Sequence, residues 1–223
     1  MPGETAGGRN EPALIISINN SKSLDERLGI IRDSNIKGLE KINQGGFTEA
    51  MDILDVGYFA ATENLQLWSI ISKDFPEGIA YNYYLTAVID VNIGYPEIAE
   101  EVYKESINLN PHDSDTFFGL GVLYLTTKKY GGALAITKEM DSKFPEDVMT
   151  FVMNGFYELE AKSDCKKAEA AFQTAMRMDS TEFYVHMGLK DVYKKMGLRQ
   201  KAAVHRRMCR DAMKIESIGS NDR

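Results

Sequence analysis

The sequence predicts an all-α protein built as an array of repeated antiparallel helix pairs. Three observations carry this expectation. Prolines fall at a near-constant interval, with 35 residues from Pro76 to Pro111 and 34 from Pro111 to Pro145, and Ser180 takes the proline's place after 35 more. Small residues recur between these breaks. With Ser114 as position 1, Gly121 stands at 8 and Ala133 at 20, and with Ala80 as position 1, Ala87 stands at 8 and Ala99 at 20. Bulky apolar residues take the flanking places, such as Tyr103 at 24 in the Ala80 unit. Small residues let two helices approach closely, and the bulky ones fill the space around that contact. Proline near position 32 ends the second helix, because it cannot extend the hydrogen-bond ladder. One helix pair cannot bury both of its faces, so neighbouring pairs stack into a continuous core.

The elements follow in order. Residues 1–22 read as a Gly-rich flexible arm with one apolar run, Ala13-Leu14-Ile15-Ile16. Ser23 and Glu26 form a capping-box pattern. They open a helix over 23–43 with Leu24, Leu28, Ile31, Leu39 and Ile42 along one stripe. Gly45-Gly46-Phe47-x-x-Ala50 admits two frames. It can be the turn inside a repeat over 31–64, or the start of a repeat over 45–79 with helices near 47–60 and 62–74. The second frame is preferred because it runs into Ala80 without a leftover segment, which makes 23–43 a capping helix. Further repeats span 80–113, 114–147, 148–182 and 183–215, and one extra residue is needed near Ser163-Asp164. In the last of these Lys190 stands at position 8 and Arg206 at 24, polar choices that suit a terminal repeat facing water. Residues 216–223 read as a frayed tail.

The segment Phe117-x-x-Leu120-Gly121-x-x-Tyr124, followed by Ala133 and Pro145, resembles the tetratricopeptide-repeat family, with Phe in place of Trp. The resemblance covers about 45–215. It implies a right-handed superhelical solenoid, one domain over 23–215, that binds a protein or peptide partner in its concave groove. The groove residues implied are Tyr81, Tyr84, Leu85, Val88, Phe118, Val122, Met149, Val152, Met153 and Phe156. None of these is Lys or Arg, which argues against a clamp for a chaperone's terminal carboxylate. An apolar peptide or an amphipathic helix is the expected guest, and Met149 and Met153 would adapt to its shape. The chain's own Ala13–Ile16 run is a further candidate occupant. Family members of this size include secretion-type chaperones and a magnetosome-associated scaffold, so both roles stand as alternatives to a general adaptor.

Composition and charge narrow the function. The 223 residues carry a formal charge of -7, so a nucleic-acid surface, which needs surplus Lys and Arg, is not expected. Two cysteines make no disulfide framework. The longest apolar runs fall far below the ~20 residues of a membrane helix. A cytoplasmic protein is therefore expected, with peripheral membrane association still allowed. Charge is uneven: residues 183–214 hold nine bases and two acids, a local +7 that leaves -14 for the remainder. Lys194, Lys195, Arg199, Arg206, Arg207 and Arg210 form the expected charged interaction surface. An acidic body with a basic end invites head-to-tail homo-oligomers. His205 and Cys209 have a metal-ligand spacing but no second pair of ligands, so no metal is expected. With no Gly-rich phosphate loop after a strand and no nucleophile or metalloprotease motif, neither an enzyme nor a cofactor is expected.

Overall fold

The computed structural model describes residues 22–63 and 65–219, with backbone alone at Leu65 and at 212–219. Residues 1–21, including the Ala13–Ile16 run, and 220–223 lie outside the described residues. The described chain is all α-helix, and it divides into two compact units at Ile93/Gly94. The first unit holds α1 (Leu24–Asn43), α2 (Phe47–Thr62), α3 (Leu65–Asp74) and α4 (Pro76–Ile93). The second holds α5 (Pro96–Leu109), α6 (Ser114–Thr126), α7 (Tyr130–Lys143), α8 (Val148–Glu160), α9 (Cys165–Met178), α10 (Phe183–Lys195) and α11 (Arg199–Gly219). The boundary falls inside the stretch 80–113 that the repeat frame treats as one repeat. The final helix runs to Gly219, past the expected end at 215.

Local sequence explains the helix ends. Ser23 and Glu26 complete both halves of the capping box, with Oγ of Ser23 accepting from the Glu26 amide at 3.2 Å and the Glu26 carboxylate accepting from the Ser23 amide at 2.7 Å. Asp113, Asp147, Asp164 and Glu182 cap α6, α8, α9 and α10 through their carboxylates. Gly45, at φ +77°, supplies the left-handed residue that turns α1 into α2. The extra residue expected near Ser163-Asp164 is absorbed there, with Ser163 itself at φ +56°.

The first unit corrects the preferred frame. The intimate helix pair is α1 with α2, and α4 packs on both. A Cβ on Gly38 would lie 2.6 Å from Leu54 Cδ2, and one on Gly57 would collide with Ser34 Oγ. Gly38 and Ala50 have the separation of Gly121 and Ala133, so the frame over 31–64 is the one that folds as a hairpin. The helix α3 is an insertion between that hairpin and α4, not the second half of a repeat.

In the second unit the expected hairpins form: α6 with α7, α8 with α9, and α10 with α11, while α6, α8 and α10 lie side by side. Gly121 admits Met153, whose Sδ would sit 2.6 Å from a Cβ there, and Gly155 admits the Phe172 ring at 2.7 Å. A Cβ on Gly188 would collide with the same ring, so Phe172 is fully buried in a slot that two glycines make.

Two glycine-to-alanine changes should therefore have opposite signs. Gly188→Ala adds a methyl where the Phe172 ring lies and should cost about 1–3 kcal/mol. Gly29→Ala in α1 has nothing within 4 Å of the new Cβ, so it should add about 0.5–1 kcal/mol. Urea unfolding followed by helicity reads both, and equal signs would contradict the slot.

Candidate functional site

In the second unit, α6, α8 and α10 pack side by side, and the repeat resemblance makes their shared face the inner wall. Its aromatic residues are not free. Phe118 is 5% exposed and Phe156 8%. The Phe118 ring packs on Phe156 at 6.2 Å and edge-on to Tyr184 at 4.9 Å, while Phe156 meets Phe172 at 5.0 Å. Met149, Val152 and Met153 are buried beside them, and Val122 is half-buried. Apart from Val122, these residues, expected to face a guest, are core. The reason is geometric: Tyr184 on α10 reaches over Phe118 on α6, so side chains of the array occupy the space a peptide would need. In the first unit Leu85 is likewise core, packed with Ala50, Leu54 and Ile89. Tyr84 covers that cluster, Val88 is half-buried, and Tyr81 is exposed and stacked on Tyr84 at 5.7 Å.

An open groove does exist in the first unit. About 400 Å3 in volume, it is lined by Leu28, Ile31, Arg32, Asn35 and Ile36 of α1, Phe75 at the end of α3, and Glu77, Gly78 and Tyr81 of α4. The α1 residues recur at helical spacing, so they share one face. Ile36 is 53% exposed, and Phe75 and Tyr81 are exposed as well. Polar bonds below fix the walls. Asn35 Nδ2 donates to the Gly78 carbonyl at 2.6 Å, and Asn82 Nδ2 donates at 3.0 Å both to Asn35 Oδ1 and to the Leu54 carbonyl. These buried amides hold the start of α4 against α1, and leaving any one unpaired would carry a desolvation cost. Of the residues expected at a groove, only Tyr81 lines this one. Sequence reasoning missed Ile36 and Phe75, though each left a signal. Ile36 stands off the apolar stripe of α1, and Phe75 directly precedes a helix-opening proline.

The basic end is partly spent on internal bonds. Lys195 Nζ donates to the Leu159 carbonyl at 3.2 Å and pairs with Glu160 at 3.0 Å, so it is not a free cation. Arg207 lies 3.7 Å from Asp211 on an exposed turn of α11. Lys194, Arg199, Arg206 and Arg210 make no ion pair among the described residues. Between them on α11 stand Val204, 53% exposed, and Met208, also exposed. At the opposite extreme of charge, Asp113, Asp147 and Glu182 cap three adjacent helices. Crowding by protein and then by those carboxylates raises the pKa of Asp115 above its usual value. One carboxylate is strongly stabilised: Glu100 accepts from Lys104, Lys129 and the Tyr124 hydroxyl, and its pKa is held at about 2, chiefly by the Lys104 bond. Among the described residues no cluster of three metal-binding side chains occurs, and no helix is long and apolar enough to cross a membrane.

This geometry defines a class of protein, the helix-hairpin repeat proteins. No family model and no curated protein matches the chain. Solved structures do. TTC0263, a thermophilic TPR protein of Thermus thermophilus, is 15% identical and aligns over 89% of this chain and 98% of its own at a TM-score of 0.63. The PilF protein of Pseudomonas aeruginosa is 20% identical over 86% of this chain and 78% of its own, with a TM-score of 0.57. A MamA fragment (41-end) from Desulfovibrio magneticus RS-1 is 20% identical over 90% of this chain and 100% of its own, at a looser 0.49. The chain has the tetratricopeptide-repeat fold.

The Glu100 cluster gives a pH test. A carboxyl depressed from 4.5 to about 2 contributes stability that is complete above 4.5 and lost as pH falls toward 2. Wild type should exceed Glu100→Gln by about 1 kcal/mol at pH 7. Urea unfolding at pH 7, 4 and 3 should show the gap closing only below pH 4.5.

Proposed function

We propose that this protein is a non-catalytic protein-interaction scaffold, and that its recruiting surface is the α1/α4 groove of the first unit. One observation supports this above others: Ile36, Phe75 and Tyr81 leave large apolar surface open over a wall of buried, hydrogen-bonded amides. Bare apolar surface forfeits about 25 cal/mol per Å2 relative to burial, so a complementary apolar partner gains by covering it. The partner is an apolar peptide or one face of an amphipathic helix. Arg32 and Glu77 at the rim offer one charge of each sign to fix its direction.

The groove assignment separates two kinds of variant. Ile36→Asp and Tyr81→Asp should keep wild-type helicity and lose the partners that wild type captures in a pull-down read by mass spectrometry. Phe118→Glu and Phe156→Glu bury a charge in a filled core and should lose about 3–5 kcal/mol of stability. Folded Ile36→Asp and Tyr81→Asp proteins that retain every wild-type partner would refute the assignment.

A second reading is self-assembly through the basic end. It draws on Val204 and Met208 standing exposed among Arg206, Arg207 and Arg210, with an acidic edge of helix caps elsewhere on the same unit. Sedimentation velocity should then show oligomers at low salt that dissociate at high salt, since exposed charges are screened within about 10 Å at 0.1 M. An unchanged monomer under both conditions eliminates this reading.

A further inference from the structure

The terminal hairpin contains a histidine pair that no binding role uses. His186 of α10 is 3% exposed, and its Nε2 lies 2.8 Å from the Ser180 carbonyl oxygen. Its Nδ1 lies 3.1 Å from Nδ1 of His205 on α11. The two rings are 5.3 Å apart, and the Tyr193 ring covers His205 from the other side at 5.5 Å. These contacts fix the protons. A carbonyl oxygen can only accept, so His186 must carry its hydrogen on Nε2. Its Nδ1 is then a bare acceptor, and His205 must donate from its own Nδ1. Neutral His205 therefore keeps its one acceptor lone pair on Nε2.

Proton counting gives the consequence. The packed pair has room for one more proton, on His205 Nε2, without disturbing either hydrogen bond. A second would have to go on His186 Nδ1, where it would face the Nδ1–H of His205 across 3.1 Å. The packed hairpin excludes that proton, whereas the released chain accepts both near the ordinary histidine value of about 6.5. Burial, His186 and Lys201 also push the pKa of His205 below 6.5, so its own protonation is disfavoured in the packed state. The other charged and titratable neighbours do not titrate between pH 5 and 7. Asp179, in the turn before α10, stays ionised, its carboxyl lowered by the Thr181 hydroxyl and amide. Lys201 and Lys190 are the basic neighbours, and Tyr193 and Cys209 stay protonated, both raised by burial.

We infer that the His186–His205 pair is a pH-sensitive latch: it seals α11 against α10 while both rings are neutral and releases it in acid. The sign follows from linkage. The packed pair binds protons less readily than the released chain, so the latch is fully effective above about pH 7 and weakens as pH falls below about 6.5. For each excluded proton the released fraction rises about tenfold per pH unit. Release would move α11, which carries exposed Val204 and Met208 on one flank and exposed Arg206 and Arg210 on the other, so surface chemistry at this end would depend on pH.

Side-chain 15N NMR on the full chain at pH 7.5 should find His186 as the Nε2–H tautomer and His205 as the Nδ1–H tautomer. Amide exchange of residues 199–211, corrected for intrinsic rate, should lose about tenfold or more protection between pH 6.5 and 5.5, with α6 and α8 unchanged. In His186→Gln/His205→Phe, which removes both titrating rings from the hairpin, that acid loss should be reduced to the level of α8. The latch is overturned if both histidines become imidazolium while α11 stays protected, a result that wild type alone can give should the variant misfold. It is equally overturned if the folded His186→Gln/His205→Phe protein loses α11 protection in acid just as wild type does.

Discussion

Everything in this fold depends on how closely two helices can approach. A helix pair buries its seam well only if one side withholds its side chain, and here glycine and alanine do so at regular places. Gly38 receives Leu54, Gly57 receives Ser34, Gly121 receives Met153, and Gly155 and Gly188 share Phe172. Each notch sets the helix spacing and receives a side chain from the facing element. Interiors packed to this density tolerate little change of volume.

Close approach also decides where binding surface is left over. In the second unit the helices come near enough for Phe118, Phe156 and Tyr184 to meet across the inner wall, and the wall satisfies itself. In the first unit the inserted α3 changes the outcome. Phe75 at its end and Ile36 on α1 remain open, and a groove persists between α1 and α4. The two units also differ inside. The first contains buried polar groups: Arg27 pairs with Glu63 and donates to the Ala60 carbonyl, and Asn35 and Asn82 bond to each other and to backbone. Such groups are costly unless fully paired, and their pairing requires one register of α1, α2 and α4.

The repeats, their proline breaks, the capping box and the small-residue places were legible because each is a local demand on one residue type at a set spacing. The helix pairing of the first unit was legible too, since Gly38 and Ala50 keep the same separation as Gly121 and Ala133. The convenient run of 45–79 into Ala80 outweighed that signal. The groove positions did not transfer, because spacing places a residue on a helix face without saying what stands opposite. Leu85, Phe118, Val152, Met153 and Phe156 sit on helices the sequence predicts and are nonetheless core.

The sequence by itself determined an all-α chain of helix hairpins, where helices begin and end, and which residues permit close contact, for these follow from backbone geometry and side-chain size within short windows. Only the tertiary structure decided which apolar residues are covered, that Lys195 is bonded while Arg206 makes no ion pair among the described residues, and that His186 meets His205. Those outcomes depend on the separation and rotation of helices distant in the chain, quantities set by all of their contacts together.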